Sequence, residues 1–143
     1  MAEGSVQVRV VLTDRAKADY ASITNRAVAS LRDGQLVHKH SALIHFSRAR
    51  RILRSLKDPS GAKSDQPMIN EFSWMLSRSE ETTYIYFGRN AVTGTVVVIH
   101  ICEGTTDIYR LLADIVFSGK TEILTALGII PPPIQPSRPI TIQ

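Results

Sequence analysis

Residues 82–102 read TTYIYFGRNAVTGTVVVIHIC. Thr82 to Phe87 is rich in β-branched and aromatic side chains, Ala91 to Gly94 has turn chemistry, and Thr95 to Cys102 is apolar almost throughout. Two strands joined by a turn fit this composition. The second, apolar on both faces, belongs in the middle of a sheet. Upstream, Phe72, Trp74 and Leu76 alternate within Ile69 to Leu76, which adds a strand ahead of the pair. The expectation is three consecutive antiparallel strands.

The N-terminal half supplies the partners of that sheet. Val6, Val8, Val10 and Leu12 recur with period two, the mark of a strand with one buried face. Thr13 or Asp14 can then cap a helix whose core stripe is Ala16, Tyr20, Ile23, Ala27 and Leu31. Asp33-Gly34 is a stop. A second helix, with Ser41 as a cap, buries Leu43, Phe46, Ile52, Leu53 and Leu56 and ends at Asp58-Pro59-Ser60-Gly61. The two helices form an antiparallel hairpin. After the sheet, Ile108, Leu111, Leu112, Ile115 and Val116 predict a helix from Asp107 to about Phe117. Ser118-Gly119 interrupts it, Thr121 to Leu127 forms a further short helix, and Pro131, Pro132, Pro133, Pro136 and Pro139 mark an extended tail.

The predicted fold class is therefore α+β: a small antiparallel β-sheet in β-α-α-β-β-β order, packed against a helical hairpin, with an additional C-terminal helix and a Pro-rich tail. One domain over residues 1–118 is expected. Residues 119–143 form a C-terminal extension rather than a second domain.

Composition excludes more than it assigns. The 143 residues hold 17 Lys and Arg against 13 Asp and Glu, a formal charge of +4, which suits a partner carrying phosphates or carboxylates. The single cysteine, Cys102, allows no intrachain disulfide and no multi-cysteine metal site. Met1 to Ser5 lacks the basic patch and apolar run of a secretory signal, and Val96 to Ile101 is too short to span a bilayer, so a cytoplasmic protein is expected. No glycine-rich phosphate loop, nucleophile elbow or zinc motif is present, which argues against a nucleotide-dependent enzyme or a hydrolase. No cofactor and no metal are expected.

Several stretches resemble the RelE/ParE toxin superfamily. Val8-Arg9-Val10-Val11-Leu12-Thr13 followed by Ala16, Asp19 and Ile23 resembles its opening strand and helix. Ile52-Leu53 to Leu56 with Asp58-Pro59 and Gly61 resembles the end of its second helix. Arg78, Thr83 to Phe87, Val96 to Ile101 and Gly104 to Tyr109 resemble its closing sheet, and Asp107 to Leu112 is the sharpest match. The resemblance covers residues 6–112 and rests on the order of short motifs. It implies the toxin of a bacterial type II toxin–antitoxin system, held by a cognate antitoxin. One branch of the superfamily cleaves mRNA in the ribosome, as an mRNA interferase. The other inhibits DNA gyrase and is not a nuclease. A degenerate, non-toxic member serving as a basic binding module is the alternative, and the sequence leaves a homo-oligomer open.

Cleavage of RNA through its own 2′-hydroxyl needs cations on the phosphorane and a group that moves protons. The resemblance nominates Arg78 for the phosphate and Tyr109 as acid or base. Each also reads plainly, Arg78 as a turn residue and Tyr109 as a packing residue at a helix start. The turn Glu103-Gly104-Thr105-Thr106 lacks the arginine that the family often places there, and Arg89 or Arg110 would have to supply a nearby cation. Arg50, Arg54 and Lys57 stand at i, i+4 and i+7 on the second helix, which has no acidic residue from Ser41 to Lys57. With Lys63 and Arg89 they are the expected nucleic-acid or partner contacts. Lys57 and Lys63 also read as solvated lysines. His100 is expected in the core.

Overall fold

A computed structural model of the chain describes residues 8–32, 41–58, 65–68, 74–104 and 108–128. In chain order the elements are β1 (Arg9–Leu12), α1 (Asp14–Arg32), α2 (Ser41–Ser55), β2 (Gln66–Pro67), β3 (Met75–Glu80), β4 (Thr83–Asn90), β5 (Thr95–Glu103) and α3 (Ile108–Leu127). The strands form one sheet in the order β1-β5-β4-β3-β2. The expected α+β class and element order hold. The expected strand over Ile69 to Leu76 lies further along the chain, at Met75–Glu80, and its Phe72 is outside the described residues.

The sheet is mixed rather than wholly antiparallel. The β2-β3, β3-β4 and β4-β5 pairs are antiparallel, whereas β1 runs parallel to β5 from Arg9 opposite Thr95 to Leu12 opposite Val98. Side-chain alternation reports which face of a strand is buried, not the direction of its neighbour, so the period-two pattern of Val8, Val10 and Leu12 was silent on this point. The turn between β4 and β5 closes through Gly94, whose φ of 76° lies in the left-handed region and whose amide donates to the Asn90 carbonyl at 2.8 Å.

Two cores lie on the two faces. On one, α1 and α2 bury Ala16, Ile23, Ala49, Ile52 and Leu56 against Ile85, Phe87, Val96, Val98 and Ile101. On the other, α3 buries Leu112, Ile115, Ile123 and Leu127 against Met75, Tyr86, Val97 and Ile99. Val96 to Ile99 thus alternate between the two cores, which is why β5 is apolar at nearly every position.

The helix α3 runs unbroken through Ser118 and Gly119. Ser118 Oγ donates within its own helix to the Asp114 and Ile115 carbonyls, at 3.0 and 3.2 Å. The buried stripe continues on either side, outweighing the roughly 1 kcal/mol that an interior glycine costs. Residue 118, the expected end of the first domain, falls inside this helix. Gly128, with φ 74°, ends it. Asn90 Nδ2 donates to the Leu127 carbonyl at 2.7 Å, and Glu122 Oε2 accepts from the Asp14 amide at 3.1 Å, so α3 is tied to β4 and to the start of α1. Among the described residues no helix is long and apolar enough to cross a membrane.

Thr13 is the cap of α1. Its Oγ1 accepts from the Ala16 amide at 3.1 Å and donates to the Ile99 carbonyl at 3.4 Å. Replacing it with alanine removes both bonds, and Thr13→Ala is expected to lower stability by about 1–2 kcal/mol in urea titration.

Candidate functional site

Arg78 stands on β3 opposite Ile85 and so projects onto the hairpin face of the sheet. Its Nε donates to Asp65 Oδ1 at 2.6 Å and its Nη1 to Ser55 Oγ at 2.9 Å. Arg89 Nη1 donates to the other oxygen, Asp65 Oδ2, also at 2.6 Å. Only 8% of the Arg78 side chain and 3% of the Asp65 side chain are exposed, against 21% for Arg89. Both guanidiniums lie over the Phe87 ring, 5.8 and 5.4 Å from its centroid. The Asp65 carboxylate takes the charge-assisted bonds that a bound phosphate would need from this pair. The cluster ties the segment before β2 to the end of α2 and to two strands.

Tyr109 is on the first turn of α3, 38% exposed. That helix packs on the opposite face of the sheet from Arg78. The two candidate catalytic residues are therefore separated by the sheet. Arg89 joins Arg78, and Lys63 lies outside the described residues, as do Thr105 and Thr106 of the turn after β5.

The basic stripe is present and one-sided. His45, Ala49 and Ile52 of α2, and Leu56 just past its end, face the core. On one flank Arg51 makes a two-point ion pair with Glu80. On the other, Arg50, Arg54 and Lys57 are exposed and rim a groove whose floor is Val10, Leu12, Tyr20 and Leu53. Tyr20 stacks on Phe46, with ring centroids 6.0 Å apart. None of the three cations has an ion-pair partner among the described residues.

His100 is buried, as expected for a core residue, at 4% exposure. Its Nδ1 donates to Asp19 Oδ2 at 2.7 Å, and its Nε2 is buried with no hydrogen-bond partner among the described residues. The ring stacks beside Tyr86, whose hydroxyl is pushed up from its usual pKa chiefly by burial. Burial, and then the Asp19 carboxylate, push the Cys102 thiol up to about 11, so it is protonated at neutral pH and is not a ready nucleophile. His45 Nδ1 is hydrogen-bonded to Thr83 Oγ1 at 2.8 Å, and burial lowers its pKa below the usual histidine value. Sequence reasoning missed Asp65, which lies in a stretch that reads only as a polar loop, and Asp19, whose position on α1 gives no sign of the β5 edge that it meets.

Two measurements test these assignments. Asp65→Ala leaves two cations without their carboxylate, one of them buried, and is expected to cost about 3–5 kcal/mol in urea unfolding, against less than about 0.5 kcal/mol for Arg50→Ala. His45, with its lowered folded-state pKa, contributes stability that is complete above about pH 6.5 and is lost as the pH falls below it, because the unfolded chain takes up the proton first. The stability of the native protein relative to His45→Gln should fall steadily from about pH 7.5 to 5, and a flat difference would refute the assignment.

No family model matches the chain, and no curated protein matches it. Among solved structures, the toxin–antitoxin complex RelBE2 from Mycobacterium tuberculosis contains a chain that is 13% identical, with 71% of this chain and 95% of that chain covered and a TM-score of 0.43.

Proposed function

We propose that this protein is the toxin of a type II toxin–antitoxin pair and that it arrests growth by binding, in the manner of the gyrase-inhibiting branch, rather than by cutting mRNA. The superfamily reading rests on the motifs of residues 6–112, and the β-α-α-β-β-β order that those motifs imply is found in the fold, with the two-residue β2 added ahead of the last three strands. The choice of binding over cleavage rests on one observation: Arg78, the residue nominated for the phosphate, is committed with Arg89 to the buried Asp65 carboxylate. The distance of Tyr109 across the sheet and the Glu103-Gly104 start of the turn after β5 point the same way. The exposed cations Arg50 and Arg54 of α2, with Lys57 just past its end, are the contact surface of this reading, and a cognate antitoxin covers the toxin until it acts.

Inducing the chain without its antitoxin in a bacterial host, followed by pulsed labelling of DNA, RNA and protein, tests the proposal. DNA synthesis should fail first, with a DNA-damage response, while translation continues. The triple variant R50E/R54E/K57E should fold and relieve the arrest. Early loss of protein synthesis, with mRNAs cut in the ribosomal A site, would establish the nuclease instead. Normal growth with abundant soluble protein would leave only a non-toxic binding module.

A further inference from the structure

His100 and Cys102 stand two residues apart on β5, opposite Tyr86 and Tyr84 of β4. Tyr84 and Tyr86 stack with ring centroids 6.2 Å apart, and Tyr86 stacks beside His100 at 6.4 Å. The four side chains therefore share the face of the sheet that α3 covers. His100 Nδ1 is held by Asp19 Oδ2 at 2.7 Å. A carboxylate can only accept, so Nδ1 carries the ring proton and Nε2 keeps a bare lone pair. That nitrogen is buried and has no hydrogen-bond partner among the described residues, a state that calls for an explanation. Cys102 is half-buried and is the only thiol of the chain. After burial, the Asp19 carboxylate is the main influence that raises its pKa, so one carboxylate stands near both side chains.

We propose that His100 Nε2 and Cys102 Sγ are the two protein ligands of a soft monovalent metal ion, of the Cu(I) or Ag(I) kind, with Asp19 behind the imidazole. Positions i and i+2 of a strand are about 6.6 Å apart. A sulfur–metal–nitrogen bridge spans about 4 Å, within reach of two such side chains leaning together. A thiolate sulfur selects soft ions. Two donors are what a linearly coordinated ion needs. Among the described residues no group of three or more His, Cys, Asp or Glu could hold a metal, so the fuller shells of Zn²⁺, Mg²⁺ and Ca²⁺ are not served. Asp19 is no third ligand, because it is already bonded to His100, to the Ile101 amide and to Arg15. Its place is the one that carboxylates take behind metal-binding imidazoles, where they fix the tautomer and the ring. On binding, the Cys102 S–H bond breaks, the sulfur–metal bond forms and the proton leaves to solvent. The imidazole gives up no proton, and no oxidation state changes.

The test titrates the full chain, without oxygen, with Cu(I) presented by excess bicinchoninate. It contains no growth readout, so it can fail while the induction experiment succeeds, and the reverse. One ion should bind per chain, and Ag(I) should compete for the same place. Cys102→Ser should weaken binding by about a hundredfold or more and His100→Gln by about tenfold or more, whereas His45→Gln should change it less than about twofold. A urea midpoint for each variant separates lost ligands from lost fold. If His100→Gln does not fold, X-ray absorption of the native protein loaded with Cu(I) decides, and one sulfur and one nitrogen should lie at bonding distance. Two sulfurs around the ion, as in a bridge between Cys102 of two copies, would overturn the proposal. So would equal binding by folded His100→Gln, native binding no tighter than that of Cys102→Ser, or displacement of Cu(I) by an equal concentration of Zn²⁺.

Discussion

From Thr95 to Ile101 the last strand is buried on both faces, and a buried strand cannot leave its peptide groups unpaired. On one side β4 pairs with it from Thr95 to Glu103, with one interruption at Ile99. On the other side β1 stops at Leu12, opposite Val98. Beyond that point the first helix takes over. The Thr13 amide donates to the Val98 carbonyl at 3.0 Å, Thr13 Oγ1 reaches the Ile99 carbonyl, and Asp19 Oδ2 accepts from the Ile101 amide at 3.1 Å. The start of α1 is thus placed by the hydrogen-bonding demand of a strand more than eighty residues later. The register shift between Tyr86 and Phe87 sits in the same region, and it leaves Ile99 without a residue opposite it on β4. His100 and its bond to Asp19 belong to this arrangement and have no need of a catalytic explanation.

Much of this was legible in the residues. The period-two run at Val8, Val10 and Leu12, the stripes at spacings of three and four on α1 and α2, and the doubly apolar Val96 to Ile101 carry their burial in their spacing, except that Leu31, at the end of the first stripe, is 53% exposed and Ser30 is buried instead. The misreadings share a cause. Ser118-Gly119 reads as a break because propensity is local, whereas the packing of Ile115 and Ile123 on either side is not. The direction of β1 and the one-residue shift in β5 depend on hydrogen bonds between distant segments, about which side-chain patterns say nothing. Arg78 was found as a residue of interest, but its partner was not, because nothing in the stretch around Asp65 shows that this carboxylate is buried.

The arginines show how little a residue type decides by itself. Arg51 and Arg54 are neighbours on one helix, yet Arg51 turns to Glu80 at the surface and Arg54 faces open groove. Arg78 and Arg89 share one buried carboxylate and one aromatic ring. Among the described residues Arg54 has no ion pair to give up, whereas each of the other three has one. A count of basic residues would treat them alike, and the net charge of the chain says nothing about where an anion can come to rest.

The tie between Glu122 and the Asp14 amide, together with the β1-β5 ladder, also bears on how the chain reaches its fold. The strand β1 pairs with β5, more than eighty residues later, and the helix that covers the second core follows later still. Until β5 is made, β1 has no partner and α1 has no strand edge to close. Until α3 is made, Val97 and Ile99 lack the helix that covers them. Contacts so distant in sequence are slow to form, and the fold cannot close before α3 has been made. A nascent chain stopped short of α3 would expose both apolar residues and a bare sheet face, which makes it a substrate for chaperones and proteases before it becomes a working protein.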